Sequence, residues 1–311
     1  MKNNLAFVFP GQGSQKIGML SELSEKYATV QDTFAEASDV LHYDLWNMVQ
    51  KGSQEDITLT ERTQPLLLTA SVAVWRIWQQ EGGARPALMA GHSLGEWSAL
   101  VCSGVVAFED AVRLVRNRGA YMQEAVPRGE GAMAAILGLD DGLIKEICAQ
   151  ACEGQEVSAV NFNSPGQVVI AGNSAAVERA IEGCKAAGAK RAMPLPVSAP
   201  FHTGLMKPAA DRLATEILAT QFSAPEVLIV HNVNAKTESD PECIKHVMIE
   251  QIFKPVQWVE CVNTLVASGI DTVVECGAGK VLGGLCKRIA PSLTTYATED
   301  SDNLTKSLAG L

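Results

Sequence analysis

Gly91-His92-Ser93-Leu94-Gly95 sets a hydroxyl nucleophile between two glycines. The small and apolar run Ala87-Leu88-Met89-Ala90 before it predicts a buried strand, and residues 96–102 after it predict an amphipathic helix. A Gly-x-Ser-x-Gly turn between a strand and a helix is a nucleophile elbow, in which the serine projects from a sharp bend. The glycines remove side chains where the backbone turns, and Ser93 then lies near the positive end of the next helix. A serine hydroxyl is barely ionised at neutral pH and needs a base. Of the five histidines, His92 neighbours Ser93 and is expected to point to the opposite side of the turn. His42 and His246 fall on helices in polar surroundings, and His231 ends a strand. His202 lies in the tight loop Ser198-Ala199-Pro200-Phe201-His202-Thr203, at the seam between two regions of different character, where active sites tend to form.

The order serine then histidine agrees with the α/β-hydrolases, which also require an acid between them. Asp110, Asp140 and Asp141 occupy that interval, and none sits at a convincing strand end. The triad therefore lacks its acid. A second candidate for chemistry is Arg118, on a helix that starts at Phe108-Glu109-Asp110. Ala111, Leu114, Val115 and Met122 form its apolar face. Arg118 lies one turn after Leu114 and near that face, whereas Arg113 and Arg116 lie nearer the polar one. A guanidinium facing the core usually has a carboxylate partner, although an internal salt bridge or a snorkelling stem would satisfy it equally.

The elements that must position these groups follow from periodicity. Residues 5–9 form a continuous apolar run, as in a strand buried on both faces, and lead into Pro10-Gly11-Gln12-Gly13-Ser14-Gln15. Lys16 stands where a dinucleotide fingerprint needs its third glycine, and no Gly-Lys-Ser/Thr follows for a phosphate loop. The loop is either a plain turn or a set of N–H groups offered to a developing negative charge. Helical periodicity dominates to about residue 81, with a long helix opening at Glu61 and Pro65 expected in its first turn. Beyond the boundary Pro127-Arg128-Gly129-Glu130-Gly131 the order becomes strand 132–139, helix 141–152, strand 157–162, strand 168–171, helix 174–187 and strand 191–197. That βαββαβ order is the ferredoxin-like split unit. A helix over 205–219, a strand over 227–230, helices over 241–253 and 256–268, a strand over 272–276 and a helix over 281–289 then resume the α/β alternation of the N-terminal region. The fold class is therefore α/β. A parallel-sheet core over 1–127 and 204–311 is interrupted by a small subdomain over 128–203.

Composition limits the functional classes. The chain has 311 residues, 47% hydrophobic and only 19% charged, which suits a packed globular protein. A net charge of −10 argues against a nucleic-acid binder, which needs a basic footprint. The eight cysteines include no Cys-x-x-Cys pair, and Cys148 and Cys152 stand one helical turn apart, so reduced thiols in a cytosol and no metal site are expected. Residues 5–9 are too short for a signal sequence and the apolar run 66–75 is too short for a bilayer span, so a soluble, cytoplasmic protein with no membrane contact is expected.

Taken together, Phe9-Pro10-Gly11-Gln12-Gly13-Ser14-Gln15, Gly91-His92-Ser93-Leu94-Gly95-Glu96, Arg118, Phe201-His202 and Gln251 resemble the malonyl-CoA:acyl-carrier-protein transacylases. So do Asn161-Phe162-Asn163-Ser164-Pro165-Gly166-Gln167 and Pro255-Val256-Gln257-Trp258, and the likeness runs in order over essentially the whole chain. The resemblance implies a hydrolase-like core with a ferredoxin-like insert and an active site in the cleft between them. It implies Ser93 as acyl-accepting nucleophile, His202 as base oriented by a backbone carbonyl near Gln251, and the N–H groups of Gln12 and Leu94 as oxyanion hole. It implies Arg118 as partner of the malonyl carboxylate, with Gln64, Met122, Asn161, Asn163 and Phe201 also against the substrate. Substrates would be malonyl-CoA and the phosphopantetheine thiol of acyl carrier protein, with no cofactor, and the product would supply fatty acid synthesis by a monomeric enzyme. Cys276-Gly277-Ala278-Gly279 and Trp97 depart from the usual family pattern. Lys185, Lys190, Arg191, Lys280, Lys287 and Arg288 are either a solvated charged face or a basic rim for an acidic carrier. The alternative reading is a serine thioesterase or other hydrolase of acyl-CoA, against which the missing acid and the inward Arg118 speak. A docking module without catalysis is a further rival.

Overall fold

The computed structural model of the protein describes residues 2–197 and 199–311, so Ser198 of the histidine loop lies outside the described residues. The strands, in chain order, are β1 (Lys2–Phe9), β2 (Pro86–Gly91), β3 (Gly131–Leu137), β4 (Val157–Ser164), β5 (Gln167–Asn173), β6 (Arg191–Pro194), β7 (Leu228–Val230), β8 (Thr237–Glu238), β9 (Thr272–Glu275) and β10 (Thr294–Ala297). They form two sheets, one ordered β10-β9-β1-β2-β7-β8 and the other β4-β5-β3-β6.

In the first sheet β1 pairs in parallel with β2 and β9, β9 with β10, and β2 with β7; β8 runs antiparallel to β7. The residues of β1 from Leu5 to Phe9 are fully buried, which explains its unbroken apolar run. Register matters more than length here. Phe9 stands opposite Gly91 and Val8 opposite Glu275, so β1, β2 and β9 end side by side. The loop after Phe9, the elbow after Gly91 and the loop after Glu275 therefore leave the sheet together at the carboxyl ends of the strands, where open α/β sheets place their ligands.

The second sheet is antiparallel throughout. Its alternation separates two surfaces. Ala134 and Ile136 of β3, with Phe162, Val168 and Ile170, pack against the helices Asp141–Ala151 and Ser174–Ala186 in a core of their own. Met133, Val160, Val169 and Ala171 instead join the main core. The backbone of Val256 ties β4 to the large sheet's side of the molecule, donating to the Val160 carbonyl and accepting from Phe162.

Two helices set the floor of the site. Thr60–Gln80 is buried along almost its whole length, and Phe108–Glu124 crosses it at Gly119. A methyl group on Gly119 would come within 2.5 Å of the Thr60 carbonyl oxygen, so only glycine allows this approach next to Arg118. Pro65 falls inside the helix rather than in its first turn, because the helix already begins at Thr60. The neighbouring Thr69 hydroxyl bonds back to the Pro65 carbonyl.

Several expected boundaries shift. The strand expected over 191–197 ends at Pro194, since Pro194 and Pro196 have no N–H for the ladder. The helix expected over 241–253 ends at Glu250, with Gln251 as its cap. Strands β8 and β10 and the last helix, Ser301–Gly310, have no counterpart in the periodicity of the sequence. Strand β10 is an edge strand with no fully buried residue, so it lacks the apolar run that marks β1. A methyl group on Gly95 would sit 2.0 Å from the Phe9 carbonyl oxygen, so Gly95→Ala must push the elbow helix away from β1. Overpacking of this kind costs about 1–3 kcal/mol. Urea unfolding of that variant is expected to show at least this loss, together with a fall in Ser93 reactivity.

Candidate active site

Ser93 carries the strain expected of an elbow. It adopts φ 51° and ψ −108°, a conformation costly for a residue with a side chain. The turn is held from behind: the Ser93 N–H donates to Asn232 Oδ1 at 2.7 Å, and Asn232 Nδ2 donates to the Gly91 carbonyl at 2.7 Å. The His92 N–H donates to the Phe9 carbonyl at 3.0 Å, which fastens the elbow to β1. Held this way, Ser93 Oγ projects to within 2.8 Å of His202 Nε2.

His202 Nδ1 lies 2.9 Å from the backbone carbonyl of Gln251. A carbonyl can only accept, so Nδ1 bears the proton and Nε2 presents its lone pair to Ser93. Burial, and next the nearby Arg118 charge, push the His202 pKa down to about 3. The imidazole is therefore neutral across the physiological range, as a base must be before it acts.

Arg118 is 2% exposed. Its Nη1 donates to Gln64 Oε1 at 2.8 Å and its Nη2 to Gln251 Oε1 at 2.9 Å and to Ser93 Oγ at 3.3 Å. Nε has no hydrogen-bond partner among the described residues. Desolvation lowers its pKa to about 10, still high enough to keep the charge at neutral pH. The internal salt bridge left open by the sequence is absent from its described contacts. Two neutral amides hold the guanidinium instead.

These groups line a cavity of about 120 Å³ with Gln12, Gln64, His92, Leu94, Met122, Asn161 and Phe201. Met133, Leu195 and Val197, which the sequence did not single out, close its side. A wider groove of about 550 Å³ shares Gln12, Leu195 and Val197 with the cavity and continues past Thr58 and Arg128. Gln251 sits beneath Arg118, fully buried. His92 also contributes to the cavity lining, while its ring turns to Asn163, with Nε2 2.7 Å from Asn163 Oδ1. Its ring packs near Trp258, with centroids 5.6 Å apart, which draws it toward β4. Asn163 is thus placed behind His92, while Asn161 faces the cavity with its Oδ1 buried and unpaired among the described residues.

Three further residues underlie the site. Glu96 is fully buried and accepts from His231 Nδ1 at 2.7 Å, from the Asn232 N–H at 3.2 Å and from Gln251 Nε2 at 2.8 Å. Periodicity could not find them, because His231 and Asn232 come from the end of β7. The one available signal was a glutamate three residues after the serine, within a helix whose other neighbours are apolar.

Comparison with known proteins follows the same line. Residues 6–287 match the family described as acyl transferase domain. The malonyl CoA-acyl carrier protein transacylase of Salmonella typhimurium is 58% identical over 303 residues, 97% of this chain and 98% of that protein. The enzyme of the same name from Bacillus subtilis is 46% identical over 97% of this chain and 95% of its own length. Among solved structures, an acyl carrier protein S-malonyltransferase from Vibrio cholerae superposes with a TM-score of 0.95 at 57% identity, covering 97% of this chain and 99% of that one. A malonyl-transacylase solved in complex with its holo type II PKS acyl-carrier protein superposes with a TM-score of 0.98 at 54% identity, covering 99% and 100%. The chain belongs to the malonyl-CoA:acyl-carrier-protein transacylases.

The two departures from the family pattern lie away from the reacting atoms. Trp97 is fully buried with its ring edge-on to Phe222, and Cys276 is buried with its thiol directed at the Ser71 carbonyl. The transacylase site also generates a pH test. Because burial and Arg118 both depress the His202 pKa, phosphonylation of Ser93 by a neutral organophosphorus reagent should show no inflection near the ordinary histidine value of about 6.5. In Arg118→Ala one depressing charge is gone, and the acid limb of that rate profile should move to higher pH.

Proposed function

We propose that Ser93 carries the malonyl group between the two substrates of this transacylase. The enzyme transfers malonyl from malonyl-CoA to acyl carrier protein, the activity named for relatives at 57–58% identity over nearly the full chain. The observation that carries the residue assignment is Arg118: a buried cation with no carboxylate in its described hydrogen bonds, 3.3 Å from the nucleophile. A guanidinium pairs fork to fork with a carboxylate, so the free acid of the malonyl group fits there while its thioester carbon meets Ser93 Oγ.

In this reading His202 Nε2 takes the hydroxyl proton as Ser93 attacks the thioester carbonyl. The N–H groups of Leu94 and Gln12 receive the oxyanion, each worth about 3–4 kcal/mol to the tetrahedral intermediate. The intermediate collapses, the carbon–sulfur bond breaks, and coenzyme A leaves as the thiol with the proton from His202. The phosphopantetheine thiol of acyl carrier protein then attacks the malonyl-serine ester, and the same groups run the sequence in reverse. A thioester is exchanged for a thioester through an oxygen ester, so hydroxyl, imidazole and N–H donors suffice and no cofactor is assigned. Phe201 lines the cavity beside His202 and would crowd a branched methylmalonyl group. Asn161 would donate to the bound acyl group, with Asn163 fixing His92.

The small sheet fits a ferredoxin-like subdomain over 128–203: its strand order β4-β5-β3-β6 with two helices on one face supports that reading. The remaining halves, 1–127 and 204–311, make the core. For the carrier protein, Arg288 donates to Gln167 at the start of β5, while Lys185 pairs with Glu182 and Lys280 with Glu299. Lys190, Arg191, Lys287 and Arg288 therefore remain the best basic contacts for an acidic carrier. All eight cysteines are free thiols, which suits a reducing cytoplasm, and no described helix is long and apolar enough to cross a membrane. The large exposed apolar residues are scattered over separate elements, in keeping with a monomer supplying malonyl groups for fatty acid synthesis.

Intact-protein mass spectrometry after mixing with malonyl-CoA should show a malonyl adduct that is absent in Ser93→Ala. Rapid release of free malonate without an adduct would instead favour the hydrolase reading. Stranding a buried charge costs about 3–5 kcal/mol, so Arg118→Ala should lower malonyl transfer by a factor of about 100 or more while acetyl transfer falls far less. Equal losses with both donors would remove Arg118 from this role.

A further inference from the structure

Ser93 and Glu96 have the spacing of a helix capping box. In that motif the serine side chain bonds the N–H three residues on, and the glutamate reaches back to the serine N–H. Here both members are diverted. Ser93 makes no side-chain capping bond and turns its hydroxyl to His202, while its N–H is satisfied by Asn232. Glu96 turns inward and is fully buried. A buried carboxylate costs several kcal/mol unless fully bonded, so its burial calls for a use that an exposed capping box would not serve.

We propose that Glu96 is a positioning residue that locks the side-chain amide of Gln251 in one orientation, and so aims both Arg118 and His202. This rests on the roles proposed for those two residues in malonyl transfer. Gln251 Nε2 donates to Glu96 Oε2 at 2.8 Å and to the Ser93 carbonyl at 2.8 Å, which leaves Gln251 Oε1 facing Arg118 Nη2 at 2.9 Å. Flipping the amide would set its NH₂ group against the guanidinium. It would also set its oxygen against the glutamate and the Ser93 carbonyl. Donor would meet donor, and acceptor would meet acceptor twice. The backbone carbonyl of the same Gln251 accepts from His202 Nδ1, so one locked residue serves both functional groups. His231 Nδ1 holds the other oxygen of Glu96, Oε1, the Asn232 N–H donates to the same Oε2 as Gln251, and Asn232 in turn holds the Ser93 N–H.

The amide also separates the charges. Glu96 supplies a negative charge on the far side of Gln251 from Arg118 and does not itself pair with the guanidinium. Arg118 Nε thus has no partner among the described residues, and Nη2 reaches only the hydroxyl of Ser93 on the side where the carboxylate of a substrate would enter.

The test is the ratio of kcat/KM for malonyl-CoA over acetyl-CoA, with thermal unfolding measured in parallel. Glu96→Met keeps the length of the side chain and removes both acceptors. It is expected to lower the ratio about tenfold, the equivalent of one charge-assisted hydrogen bond. Glu96→Gln should restore most of the ratio, because its carbonyl can still accept from Gln251 while its NH₂ donates to His231 in the other tautomer. A folded Glu96→Met enzyme with an unchanged ratio, or with equal losses for both donors, would overturn the proposal. If Glu96→Met does not fold, Gln251→Ala is read in its place, since Glu96 keeps its bonds to His231 and Asn232. The same drop supports the proposal, and an unchanged ratio overturns it. Arg118→Ala separates the two levels. An unaltered ratio there defeats the reading of Arg118 itself. A changed ratio there with none in the Glu96 and Gln251 variants defeats only the role of Glu96.

Discussion

A guanidinium taken out of water gives up several kcal/mol of solvation unless something replaces it, and Arg118 is 2% exposed. What replaces water here is a pair of amide oxygens, from Gln64 and Gln251. Two neutral acceptors satisfy the geometry of the N–H groups but leave the charge itself uncompensated at contact distance. Much of the surrounding structure can be traced to this condition. Gly119 lets the arginine's helix approach the helix that carries Gln64. Gln251 is fixed by three bonds from its side chain, and one of its partners is a fully buried carboxylate. Burial first, and then the same uncompensated charge, depress the pKa of His202 and keep its imidazole neutral.

The fold was legible in the sequence wherever burial imposes a pattern. The apolar run of β1, the strand and helix order of the small sheet's region and the elbow between strand and helix all read directly, because each is dictated by contacts near in sequence or by one continuous buried face. What escaped was fixed by partners distant in the chain. Strand β10 exists because β9 offers it a parallel edge, and its own residues carry no strong apolar signal. The partners of the His92 ring, Asn163 and Trp258, are likewise distant in the chain.

The site shows the same division. Ser93, His202 and Arg118 are visible from residue type and local setting, and the cavity does gather them. Glu96 lies in plain view within the elbow motif, yet its spacing from Ser93 matches an ordinary capping box, so its apolar neighbours are the one local sign of its burial. His231 reads in the sequence as the end of a strand. Their connection requires β7 to lie beside β2, a pairing between residues some 140 positions apart that no local pattern encodes.

The lack of a triad acid then has a physical reason. A carboxylate bonded to His202 Nδ1 would occupy the place of the Gln251 carbonyl, on the same residue whose side chain touches Arg118. At that distance it would draw the guanidinium into an internal ion pair and compete with the carboxylate of the substrate. A neutral carbonyl fixes the tautomer of the imidazole equally well but stabilises the imidazolium less. The deficit is largest in the free enzyme, where the bare Arg118 charge adds to it. In the proposed mechanism a malonyl carboxylate paired with Arg118 cancels that repulsion, and His202 becomes a stronger base when the acyl group is in place. On those proposed roles the arrangement couples recognition of the charged substrate to activation of the nucleophile, and a donor without a free carboxylate gains neither.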